Sequence, residues 1–167
     1  MKTLGKFTIN ETELLNEAER VSEILFPISR SITGNGVRKS LDILKQIAEF
    51  DVGEIPSGTK CYDWTVPDEW NIKDAFVEDE SRNRIIDFQK NNLHVVNYSI
   101  PIDKWVSYEE LESHLHTLPN MPDAIPYRTS YYKRDWGFCL THNQRKKLKN
   151  KTYKVLIDSS LKKGNLY

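Results

Sequence analysis

Residues 74–99 read DAFVEDESRNRIIDFQKNNLHVVNYS. Three stretches within them, 74–77, 84–88 and 94–99, are short and rich in β-branched and aromatic residues, and polar turns at 78–81 and 89–92 separate them. That spacing predicts a small antiparallel β meander. On its N-terminal side the period changes to that of a helix. Asn10 followed by Glu13 resembles a capping box, and Leu14, Ala18, Val21 and Leu25 then recur at helical spacing until Pro27. After the turn-like SITGNG at 31–36, Val37, Leu41, Leu44 and Ala48 predict a second helix ending near Phe50, and Gly53, Pro56 and Gly58 break any further helix.

On the C-terminal side Pro101 closes the meander. Ser107 with Glu110 forms a further capping box, predicting a helix through about His116, and three prolines in LPNMPDAIPYR (118–128) exclude helix or central strand there. Thr141 and Gln144 cap a basic helix expected to end near Asn150, and 153–157 alternates as a strand. The fold class expected is thus α+β or α/β. That order is expected of a partial scaffold formed by residues 1–59 and 131–167 with a β-rich domain inserted at 60–130.

Length and charge bound the rest. At 167 residues the chain suits one domain or two small ones, and it can bury about 70% of its unfolded surface without metal or disulfide. No apolar run approaches a membrane span, and MKTLGKFTIN lacks a signal-peptide core, so a cytoplasmic location is expected. Cys61 and Cys139 are then reduced thiols. Twenty-four basic residues balance 24 acidic ones, which argues against nucleic-acid or membrane partners. Eight basic residues against the single Asp158 lie beyond Asn143, and no aromatics interleave with them as in single-strand binders.

Candidate chemistry is sparse. His114 and His116 would diverge on a helix, which disfavours a joint metal site. Cys139, between Phe138 and Leu140, reads as a buried inert thiol rather than the nucleophile of a pair with His142. SITGNG before a helix could present backbone N–H groups to an anion but lacks a P-loop lysine; as a plain turn, Thr33 or Asn35 would cap the helix. Trp64, Asp68, Glu69 and Trp70 form the candidate ligand or partner surface, an acid-flanked aromatic pair whose tryptophans otherwise seal the junction between insertion and scaffold.

Several longer strings are more specific: LFPISRSITGNGVRKSL, IPSGTKCYDWTVPDEWNIKDA, NNLHVVNYSIP, HLHTLPNMPDAIPYRTSYY, WGFCLTHNQ and YKVLIDSSLKKGNLY. In this order, over residues 25–167, they resemble a bacterial zinc-aminopeptidase-like family encoded among polysaccharide-biosynthesis genes. The resemblance implies a metallo-aminopeptidase-type α/β scaffold interrupted by a small domain of unknown function. It also implies zinc in a complete member, held by His-Pro and Asn-Asp segments after the strand that here ends in IDSS. No histidine follows His142 and no acid follows Asp158, so no catalytic or metal-binding residue can be assigned to this chain. The expectation is an N-terminal fragment of a zinc-dependent aminopeptidase-like hydrolase, inactive alone, whose partner is a catalytic C-terminal half or the rest of the scaffold. The alternative is a non-catalytic binding module using the β-rich domain. The 153–157 strand is expected in a mostly parallel sheet, leaving an unpaired edge and uncovered apolar surface.

Overall fold

A computed structural model describes residues 10–149 and 151–167. In chain order the elements are α1 (Glu11–Leu25), α2 (Asn35–Leu44), β1 (Ile55–Pro56), β2 (Lys60–Cys61), β3 (Trp64–Thr65), β4 (Glu69–Glu78), β5 (Arg84–Asp87), a 3-10 turn (Asn92–His94), β6 (Ile102–Ser107), α3 (Tyr108–Glu112), β7 (Leu115–His116), β8 (Phe138–Cys139), α4 (His142–Arg145), β9 (Thr152–Lys162) and β10 (Asn165–Leu166).

The organising element is β9. Its alternation buries Tyr153, Val155 and Ile157 on one face while Lys154, Leu156 and Asp158 stay more open, the pattern of an antiparallel strand with one covered face. It lies inside a four-stranded sheet of order β5-β4-β9-β6, antiparallel throughout. β4 pairs along it from Glu69↔Lys162 to Glu78↔Lys154, with a bulge between Ile72 and Asp74, and β6 takes the other edge from Ile102↔Ile157 to Ser107↔Thr152. This corrects the parallel-sheet expectation: 153–157 has partners on both sides, so its edge is not open. The sheet also joins residues on either side of position 130.

The meander is corrected in its third member. β4 and β5 form the expected hairpin, but 94–99 is no strand. Tyr98 has φ 66°, which interrupts any ladder, and the backbone is satisfied piecemeal: the Val96 N–H donates to Gly137 O at 3.0 Å and that of Asn97 to Arg128 O at 2.9 Å. Val95, Val96 and Tyr98 are nevertheless buried, which explains why the segment reads apolar. On the covered face of the sheet, Val77, Ile86, Leu111, Phe138, Leu140, Val155 and Ile157 form the core, each contributing about 1.5–3 kcal/mol by burial.

α1 runs to Leu25 as expected, but the later three helices are shorter than periodicity implied. α2 ends at Leu44 and loosens into tighter turns in which Gln46 donates to Ile43 O and Ile47 to Leu44 O. α3 ends at Glu112, leaving His114 and His116 outside it. α4 ends at Arg145, and Asn150 lies outside the described residues, as do residues 1–9. The caps hold: Asn10 accepts from Glu13 N at 3.4 Å, Ser107 from Glu110 N at 3.2 Å, and Thr141 with Gln144 forms a complete capping box. At α2 the cap is Gly34 rather than Thr33 or Asn35. Its φ is 91°, and a Cβ there would stand 2.2 Å from Trp70 O, so only glycine fits.

Candidate functional site

The SITGNG turn packs against β4 through polar contacts at Thr33 and Asn35. Thr33 is buried, accepts from Trp70 N at 3.2 Å, and pairs hydroxyl to hydroxyl with Tyr98 at 2.6 Å. Trp70 is 3% exposed, stacks on Tyr98 with ring centroids 5.8 Å apart, and donates from Nε1 to Ser99 O at 3.0 Å. It therefore seals the junction between the N-terminal segment and the sheet, and its ring is not offered to a ligand. Trp64 is half-buried and meets Tyr131 edge-on at 6.4 Å, and Tyr131 in turn meets Tyr98 edge-on at 5.8 Å, so both tryptophans belong to one aromatic chain.

The two carboxylates are also engaged. Glu69 receives a forked pair from Arg38, at 2.8 Å and 2.5 Å, and a third bond from Asn71 at 3.1 Å. The Arg38 hydrogen bonds hold the Glu69 carboxyl below its usual range against the opposing effect of burial. Arg38 further bonds Asn35 and donates to the Tyr167 hydroxyl at 2.8 Å. Asp68 pairs with Lys163 at 3.0 Å. The four candidate residues are neighbours in sequence; Trp70 and Glu69 are tied into the fold, Asp68 is ion-paired, and Trp64 stays half-buried against Tyr131.

Beside them lies a cleft of about 400 Å³ between the turn, β4 and β9. Ser31, Asn35, Asn71, Lys73, Ser160 and Lys162 line it, and Asn71 Oδ1 accepts from Asn35 N, the first backbone donor of α2, at 2.7 Å. The sequence reading named the turn but not Arg38, Asn71 or Lys73. Asn71 is two residues from the candidate Glu69, and only the register of β4 shows which side it faces.

Two histidines lie beside Cys139: His116 pairs with it across β7 and β8, and His94 bonds its carbonyl. His94 Nδ1 donates to Cys139 O at 2.7 Å, and burial pushes its imidazole below the ordinary value. His114 stacks on Trp136 at 3.6 Å and donates to Trp136 O at 2.8 Å; His142 Nδ1 meets Thr117 Oγ1 at 3.1 Å. Cys139 is fully buried and its thiol is pushed up to about 12 by desolvation, as befits an inert core thiol. Among the described residues no group of three or more His, Cys, Asp or Glu is placed to hold a metal. The residues present do not fit a zinc centre. Among those same residues no helix is long and apolar enough to cross a membrane.

Comparisons with known proteins place this architecture. The chain is 50% identical over 166 residues to a Clostridium acetobutylicum protein named "Putative polysaccharide biosynthesis protein with aminopeptidase-like domain", covering 99% of this chain and 38% of that protein. It superposes on a crystal structure of a "putative peptidase" from Clostridium acetobutylicum with a TM-score of 0.88 and 52% identity, covering 94% of this chain and 37% of the solved one. The chain thus spans less than two-fifths of the length of either and corresponds to the N-terminal part of the aminopeptidase-like relative. A family model described as "Domain of unknown function (DUF2172)" matches residues 69–160, from the start of β4 nearly to the end of β9. The chain belongs to the DUF2172 family.

Proposed function

We propose that this chain is the non-catalytic N-terminal part of a cytoplasmic, zinc-dependent aminopeptidase-like hydrolase, and that it supports a catalytic segment without supplying reacting groups. The observation that carries the reading is the near-complete match of this chain, at 50% identity, to 38% of an aminopeptidase-like relative. The site chemistry agrees with it. The candidate acids are taken up by Arg38 and Lys163, the only thiol near a histidine is buried, and no described cluster suits a metal. In this reading metal ligands and substrate contacts belong to segments outside these residues, and the β-rich unit holds the N-terminal helices in position.

The isolated chain is expected to bind no stoichiometric zinc by metal analysis and to release no N-terminal residues from unblocked peptides. Peptide hydrolysis by the purified chain, lost on chelation and restored by zinc, would overturn the proposal. The cleft favours a second reading as a binding module, because hydroxyl, amide and ammonium groups converge on one concave surface. Hexose or inorganic phosphate would then raise the unfolding temperature of the chain, and Asn71→Ala would remove that shift.

A further inference from the structure

The apolar surface expected at a strand edge lies elsewhere. Among the exposed large hydrophobic residues, eight (Leu14, Leu15, Ile24, Phe26, Ile32, Ile47, Phe50 and Ile55) fall between positions 14 and 55, all preceding the family match that begins at Glu69. α1 is the extreme case. Not one of its 15 residues is buried. By helical geometry Leu14, Leu15, Ala18, Val21, Leu25 and the following Phe26 share an arc of about 140°. Only Val21 and Leu25 of that arc are half-buried, whereas Leu14, Leu15 and Phe26 are 58%, 69% and 65% exposed. Isolated helices of about this length are marginal in water and normally owe their stability to packing of the apolar face. By the same geometry Glu17 and Glu19 flank the arc and Glu11 falls within it, whereas Glu13, Glu23 and the single Arg20 lie on the opposite side.

We propose that this face of α1 is the docking surface for the catalytic segment, of the kind that makes up the part of the Clostridium acetobutylicum relative beyond the matched 38%. The occupant presents an apolar groove rimmed by lysine or arginine, complementary to the glutamates of α1. The relative's extra length supplies a body large enough to cover the helix, and this chain's own core does not use it. The inference rests on the reading in the preceding subsection and names the surface through which it acts.

The test is hydrogen exchange on the chain alone and on a full-length protein in which this chain replaces the matched part of the relative. Amides of residues 14–26 should exchange freely in the chain alone and slow by about 100-fold in the full-length protein. Leu15→Glu with Phe26→Glu should lower the unfolding temperature of the full-length protein and leave that of the chain unchanged. Equal exchange in both settings overturns the surface. So does protection in the chain alone that is lost on dilution, which would identify a second copy as the occupant. If the replacement protein fails to fold, the same exchange measurement on the relative at the aligned positions decides. Peptide hydrolysis is read separately: protection without hydrolysis keeps the surface and removes the catalytic reading, and hydrolysis without protection does the reverse.

Discussion

Gly34 shows how much one residue controls. Its backbone, at φ 91° and ψ −178°, lies in a region closed to side chains, and any Cβ on it would run into the carbonyl of Trp70. Gly34→Ala should cost about 2–3 kcal/mol from the backbone alone, read as a lower urea midpoint at unchanged slope. The glycine is visible in SITGNG, but its role is not, because the atom it must avoid lies far along the chain on β4. The same limit explains the aromatic-acidic stretch. Residue types are legible at Trp64, Asp68, Glu69 and Trp70; the partners that silence them, Arg38, Ser99, Tyr98 and Lys163, are distant in sequence.

At the scale of elements, local signals survive and non-local ones do not. The caps at Asn10, Ser107 and Thr141 depend on atoms three residues apart, and all three form. The β4–β5 hairpin is legible for the same reason, whereas the pairing of β9 with both β4 and β6 depends on contacts across the chain. Segment 94–99 reads as a strand without being one, because burial in an irregular loop and burial in a strand select the same apolar residues. α2 is tied to the sheet by Arg38, whose fork on Glu69 is partly exposed, and by the Asn35 N–H bond to Asn71. Arg38→Met should therefore cost only about 1 kcal/mol of global stability after solvent screening. It should, however, loosen α2 locally, and faster exchange of the 38–44 amides relative to the β9 amides would show this.

For the whole molecule, acid is the informative variable. His94 is 6% exposed and burial depresses its folded pKa below the ordinary 6.5. A depressed histidine favours the neutral folded form, so its contribution is complete above about pH 6.5 and declines as pH falls below that toward the folded value. Denaturant midpoints should fall between pH 7.5 and 5.5, and His94→Gln should flatten that slope. A slope unchanged by the substitution would assign the loss to other groups.

The short pairing of β1 with β10 carries a consequence of its own. Ile55 faces Leu166 and Pro56 faces Asn165 across adjacent strands, and Leu166 also bridges to Thr33. Cα atoms so paired stand about 5 Å apart. Everything between them, including the four-stranded sheet, is therefore a closed excursion of the backbone that returns to its point of departure. Such a loop can be lengthened, shortened or exchanged among host proteins with little change in closure entropy at its base. The two strands at its neck close the excursion, and the bonds from Thr33 to Trp70 and from Arg38 to Glu69 fasten the preceding segment to it.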